Sequence, residues 1–89
     1  MSLLVNIEPE FEMSVDKQIE CQGCLKEWKV QFKLRDIPAS KKALAKANLC
    51  QPKGVDLMAW TNYISKVLAA LEAEGHLDVK YKKPACVVQ

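Results

Sequence analysis

The sequence has few of the residues on which enzymes rely for catalysis. It contains a single histidine, His76, and three glycines among 89 residues. A single histidine cannot form a metal site with a second histidine, and the sequence shows no catalytic partner for its imidazole. Three glycines leave little scope for a phosphate-binding loop. The sequence also has no G-x-S-x-G motif and no P-loop. We therefore expect a protein that is not an enzyme.

Long apolar runs are missing as well. No run approaches the roughly 18 residues needed to span a bilayer, and Met1–Val5 lacks the basic region and long apolar core of a signal peptide. We expect a cytoplasmic protein with no membrane contact, whose cysteines are reduced or bound to a metal. A chain of this length favours a single domain, residues 1–89, with one shared core.

Arginine is nearly absent, and the other charges are unevenly distributed. Residues 1–40 contain five Lys and Arg against seven Asp and Glu, whereas residues 41–89 contain eight Lys against four Asp and Glu. The basic C-terminal half is compatible with nucleic acid or with an acidic partner. Because Arg35 is the only arginine, the sequence disfavours base recognition by bidentate guanidinium contacts.

The clearest periodic pattern lies between Asp56 and Glu74. Large apolar residues recur there at steps of three and four, the repeat of one helix face. They are Leu57, Trp60, Ile64, Val67, Leu68 and Leu71. Asp56 is a suitable N-cap, and Gly75 stands where a helix favours a left-handed end. The pattern predicts a long helix that forms the centre of the core.

The rest of the chain shows mostly strand-like alternation. Apolar Trp28, Val30, Phe32 and Leu34 alternate with polar residues, which predicts a strand over residues 28–35. Shorter patterns predict strands at residues 3–7, 11–15, 77–81 and 85–88, and a short helix at 41–49 capped by Ser40. We therefore expect an α+β fold with a small antiparallel sheet of three to five strands packed against one long and one short helix.

A pair of cysteines stands between two of the predicted strands. Cys21 and Cys24 have the spacing with which two thiolates bind one zinc ion, and residues 19–30, IECQGCLKEWKV, resemble the first knuckle of a zinc ribbon. Cys50 and Cys86 would have to supply the remaining ligands of a structural zinc site. A thioredoxin-like redox role would need the pair at a helix N-terminus, whereas the residues after Cys24 are strand-like. Alternatively, these are small core residues and incidental thiols.

Residues 40–88 resemble the later part of a winged-helix domain. The segment SKKALAKANL would be the first helix of the pair, and LDVKYKKPACVV would be the wing hairpin. This resemblance implies DNA contacts from the second helix and phosphate contacts from the wing, with salt-dependent binding. The second helix would use Thr61, Asn62, Ser65 and Lys66, and the wing would use Lys80, Lys82 and Lys83.

A small chain without catalytic residues also fits a protein-binding role. Residues 3–7 could form a free sheet edge for a partner or for a second copy. Aromatic side chains would anchor such an interface if they are exposed, or would fill the core if they are not; they are Trp28, Trp60, Tyr63 and Tyr81. Our first hypothesis is therefore a protein-binding adaptor or assembly factor, followed by a winged-helix-like nucleic-acid-binding protein and then by a structural zinc module.

Overall fold

The fold is helical throughout the part of the chain that the structure describes. The computed structural model describes residues 2–79 and contains three helices: α1, Val15–Lys33; α2, Ile37–Asn48; and α3, Leu57–Ala73. Residues 2–79 contain no strand, so the predicted α+β fold with an antiparallel sheet is wrong. The strand predicted at residues 85–88 lies outside the described residues, as does the end of the one at 77–81.

Helix α1 replaces the strand predicted at residues 28–35 and the preceding segment that resembles a zinc-ribbon knuckle. Ser14 is its N-cap, and the Ser14 Oγ accepts a hydrogen bond from the Lys17 N–H at 3.2 Å. The buried residues recur at steps of three and four, as a helix requires. They are Gln18, Cys21, Gln22 and Leu25. The cysteine pair therefore lies in the middle of a helix and not in a turn.

The end of α1 is a Schellman motif without glycine. The Arg35 N–H donates to the Phe32 carbonyl at 3.0 Å, and the Asp36 N–H donates to the Gln31 carbonyl at 2.9 Å. Arg35 itself is left-handed, with φ 66°. A C-terminal signal carried by arginine is hard to recognise in a sequence, since glycine or asparagine usually occupies this position.

The strand prediction for residues 28–35 failed because apolar alternation over so few residues does not separate strand from helix. The structure leaves Phe32 59% exposed and Leu34 36% exposed, although the alternation placed both inside. The true buried face of α1 includes Gln18 and Gln22. Its hydrophobic contrast is therefore low, and the helical period is hidden.

Helix α2 begins earlier than Ser40. Asp36 is the N-cap, its Oδ1 accepts from the Ala39 N–H at 3.1 Å, and Pro38 lies in the first turn. Ser40 is instead buried inside the helix, where its Oγ donates to the Trp28 carbonyl at 3.0 Å. The short connection from α1 makes the two helices an antiparallel hairpin.

Helix α3 confirms the prediction for the long helix. The Asp56 Oδ1 accepts from the Ala59 N–H at 2.7 Å, and Gly75 has φ 80° at the C-terminal end. Trp60, Val67 and Leu71 are buried, as predicted. Leu57 differs from the prediction: it is 71% exposed in the first turn.

Residues 2–13, here called the arm, have no regular secondary structure and join α1 to α3. The buried Gln22 Oε1 accepts from the N–H groups of Leu4 and Val5 at 2.7 and 3.2 Å, and its Nε2 donates to the Val5 carbonyl at 2.9 Å. Further along the arm, the Phe11 ring centroid lies 5.6 Å from that of Tyr63. Residues 3–7 are therefore not a free sheet edge: they form no strand, and Gln22 binds the Leu4 N–H and both backbone groups of Val5.

The length and polarity of the helices decide whether any of them could cross a membrane. Among residues 2–79, no helix has the length and apolar character that crossing a bilayer requires.

Candidate functional site

A groove runs between α1 and α2, on the side of α1 opposite to its buried face. Its volume is about 900 Å³. Two sets of residues line it. Helix α1 supplies Asp16, Ile19, Glu20, Gly23, Cys24 and Glu27, and helix α2 supplies Ala39, Lys42, Ala43 and Lys46. The groove is large enough for the side chains of another protein.

The α1 side of the groove is acidic. Asp16, Glu20 and Glu27 are exposed, and their spacing of four and seven residues places them on one face of the helix. We call these three residues the acidic rim. The same spacing was present in the sequence, but it carried no signal while the segment was interpreted as strands and a turn.

The α2 side of the groove is basic. Lys42 and Lys46 are exposed and one turn apart, and we call them the basic rim. Leu49 follows on the same face and is 82% exposed. The uncharged lining is largely apolar: Ala43 is buried, and Ile19, Cys24 and Ala39 are half-buried. A partner would therefore meet an apolar floor between charges of opposite sign.

The two rims do not neutralise each other. Among the salt bridges within residues 2–79, none joins the acidic rim to the basic rim. Glu20 pairs instead with Lys17 on its own helix at 3.7 Å, where both side chains are more than half exposed. Such a surface pair contributes little to stability. Both rims are therefore free to interact with charges from outside.

Gly23 interrupts the acidic rim in the middle of α1. A Cβ atom added there would meet nothing within 4 Å, so the fold itself does not require glycine at this position. A glycine inside a helix costs roughly 0.5–1 kcal/mol relative to alanine. Because no side chain projects from α1 at this position, another molecule can approach the backbone of the helix closely.

The structure brings together the three cysteines that it describes. Cys21, Cys24 and Cys50 are near enough for the charge on one thiol to affect another, and the Cys50 thiol donates to the Lys46 carbonyl at 3.6 Å. Among residues 2–79, however, no three Cys, His, Asp or Glu side chains are arranged to hold a metal ion. Cys86 lies outside the described residues, so the zinc site formed by all four cysteines stays a prediction.

Burial makes these thiols weak acids. Desolvation, reinforced by the neighbouring Cys50 and Cys24, raises the pKa of Cys21 to about 12. Desolvation is also the main cause of the raised pKa values of Cys24 and Cys50. Since the thiolate is the nucleophile and the metal ligand, the three neutral thiols are poorly suited to redox catalysis.

The residues that the winged-helix resemblance assigned to DNA are exposed along α3. They are Thr61, Asn62, Ser65 and Lys66. The Lys66 Nζ forms a salt bridge with Glu10 Oε1 at 3.3 Å. Glu8 also lies beside this part of α3, so the arm brings negative charge to the surface that would face phosphate. Lys80, Lys82 and Lys83 lie outside the described residues, and the nucleic-acid interpretation stays a prediction.

The aromatic residues of α3 are core residues and not interface anchors. Trp60 is 2% exposed and Tyr63 is 3% exposed, and the two rings pack at a tilt of 33° with centroids 5.8 Å apart. Trp28 on α1 is half-buried. Tyr81 lies outside the described residues. A docking surface within residues 2–79 therefore does not use Trp60 or Tyr63 as anchors.

These features define a small helical protein in which an antiparallel helix hairpin and a third helix are joined by an N-terminal arm. Comparison with models of protein families, with curated proteins and with solved structures found no match to this chain. Its function must therefore be argued from its own residues.

Proposed function

We propose that this chain is a non-enzymatic adaptor that binds an amphipathic helical surface of a protein partner in the groove between α1 and α2. The observation that carries the proposal is the presence of two rims of opposite charge, which form no salt bridge with each other within residues 2–79, on either side of an apolar floor. Helices recognise grooves of this kind through an apolar stripe with charged flanks.

The rims specify the chemistry of the partner. Basic side chains on one flank of its surface would face Asp16, Glu20 and Glu27, and acidic side chains on the other flank would face Lys42 and Lys46. Charges exposed in this way contribute more to specificity and to the association rate than to affinity. The affinity must come mainly from apolar contact with the floor and from Leu49.

We infer a cytoplasmic location for this adaptor. The structure shows Cys21, Cys24 and Cys50 as free thiols. Free thiols are typical of reducing compartments, whereas small secreted domains usually use their cysteines for disulfides.

Synthetic helical peptides test the proposed groove. Three peptides share one apolar stripe; the first has a lysine flank and a glutamate flank, the second has glutamate on both flanks, and the third has lysine on both. Isothermal titration calorimetry should show the tightest binding for the first peptide, because it alone matches both rims. The double variant Lys42→Glu with Lys46→Glu should weaken that binding by roughly tenfold, given about 0.2–1 kcal/mol for each exposed pair lost and further repulsion from the reversed charges.

The control is the double variant Lys41→Glu with Lys53→Glu, which changes the net charge equally at exposed lysines that do not line the groove. It should bind the first peptide as the wild type does. Equal affinity for all three peptides, or equal weakening by both double variants, would contradict binding in the groove.

A further inference from the structure

We propose that the helical surface that docks in this groove is the α1–α2 hairpin of a second copy of the same chain. The inference rests on the proposed function, because it names the occupant of the same groove. The outer surface of the hairpin carries the chemistry that the groove requires: an acidic rim on α1 and a basic rim on α2, with apolar residues between them.

The positions of the rim residues along the helix axes, here called their heights, fit this partner. Ser40 is bonded to Trp28 across the hairpin, and α1 and α2 are antiparallel. Counting along both helices from this contact, Lys42 is level with Lys26 and Lys46 is level with Gln22. At about 1.5 Å per residue, Glu27 is within roughly 2 Å of the height of Lys42, and Glu20 is within roughly 3 Å of the height of Lys46.

Symmetry then decides how two hairpins can pack face to face. A two-fold axis parallel to the helices preserves these heights and lays α1 of one copy over α2 of the other. Each acidic rim then faces a basic rim, and every helix is antiparallel to its neighbours, as in a four-helix bundle. A two-fold axis perpendicular to the helices, lying between the two faces, would instead place α1 against α1, with repulsion between like charges.

Two further residues support a close contact. Gly23 lies on the acidic rim between Glu20 and Glu27, where the missing side chain allows a helix of the second copy to approach. Leu49 is 82% exposed and continues the basic rim by one turn. In the symmetric pair it lies over the second copy's α1, which removes its apolar surface from water.

Charge-reversed copies test this dimer by sedimentation equilibrium. One variant combines Glu20→Lys with Glu27→Lys, so that its α1 rim carries two lysines beside Asp16 and both of its rims have a net positive charge. The other combines Lys42→Glu with Lys46→Glu, so that both are acidic. The wild type should sediment as a dimer and each variant alone as a monomer, while an equimolar mixture of the two should form a one-to-one dimer. Circular dichroism confirms that each variant retains its helices.

A third variant controls for non-specific attraction in the mixture. Lys41→Glu with Lys53→Glu has the same net charge as the variant with acidic rims, but it should remain a homodimer and should not restore dimers to the variant with basic rims.

A wild-type dimer that both reversed variants retain would exclude the groove as its interface. A wild type that stays monomeric at all concentrations would overturn the second copy as occupant. If that monomer still binds the peptide with mixed flanks, the adaptor proposal survives with a different partner, and if it does not, both proposals fail.

Discussion

Arg35 occupies a backbone conformation that suits glycine better. Its φ of 66° lies in the left-handed region, which costs a residue with a Cβ atom roughly 1 kcal/mol. Arg35→Gly should therefore raise the free energy of unfolding by about 1 kcal/mol, as measured by urea denaturation.

The neighbouring position provides the control for this variant. Leu34 has φ −80° and ψ 0°, so Leu34→Gly gains no relief of strain and should lower stability. A loss of stability in Arg35→Gly would mean that α1 does not end in the left-handed turn described above.

Because the thiol of Cys21 is buried, the free energy of unfolding should depend on pH in the alkaline range. The unfolded chain releases this proton near the ordinary thiol pKa of 9.0, whereas the folded chain holds it until about 12. Between these values the unfolded state binds fewer protons, so the free energy of unfolding falls as the pH rises. Tyr63, whose pKa desolvation raises from 10.0 to about 12, contributes in the same direction at slightly higher pH. Thermal unfolding midpoints should therefore drop steadily above about pH 9.

A Cys21→Ala variant separates this effect from the general titration of lysines. Its cavity lowers stability at neutral pH, but the decline between about pH 9 and pH 11 should be shallower than in the wild type. The same slope in both proteins would show that Cys21 is not buried in its protonated form.

One buried side chain of α1 forms three hydrogen bonds with the backbone of the arm. Gln22 is fully buried and makes hydrogen bonds with the backbone of Leu4 and Val5. Gln22→Ala should lower the free energy of unfolding by about 2–4 kcal/mol, because it removes three hydrogen bonds and leaves buried backbone groups without partners. Amide hydrogen exchange at Val5 should accelerate as well.

Gln18→Ala is the matched control. Its side chain lies on the same face of α1 but makes a single hydrogen bond, to the Met13 carbonyl at 2.9 Å. Gln18→Ala should lower the free energy of unfolding by less than Gln22→Ala does, and it should leave amide hydrogen exchange at Val5 nearly unchanged. Slow exchange at Val5 in Gln22→Ala would show that the arm is held by other contacts.

At the scale of whole elements, the sequence predicted α2 and α3, whose residue patterns are helical, and missed α1, whose apolar pattern resembles that of a strand. Helix α3 has an aspartate cap, a continuous apolar stripe and Gly75, and helix α2 has its alanine-rich pattern. Helix α1 buries Gln18 and Gln22 and leaves Val15 and Phe32 exposed. Local apolar pattern therefore opposed the tertiary packing, and the packing determined the structure.

The candidate site was hidden for the same reason. Lys42 and Lys46 fell on a segment that was correctly predicted to be helical. Asp16, Glu20 and Gly23 fell between two predicted strands, where their spacing places them on no common face. Only a helical α1 places these residues on one rim and sets that rim opposite the lysines of α2.

In the whole molecule, the uneven charge of the sequence becomes a property of one surface. The acidic N-terminal part contributes α1 to the groove, and the basic C-terminal part contributes α2. The opposite side of α1 contacts the arm and the core that it shares with α3. One side of the hairpin thus stabilises the fold, while the other presents complementary charges to a partner.

Both proposals depend on residues 15–33 forming one continuous helix. Backbone assignment of the full chain by nuclear magnetic resonance tests this directly through the ¹³Cα secondary chemical shifts. We expect positive secondary shifts from Val15 to Lys33, and contacts between residues three positions apart that include Trp28 and Gln31. Negative shifts over residues 28–34, with contacts to a neighbouring strand, would contradict the helix, and the groove with its two rims would not exist.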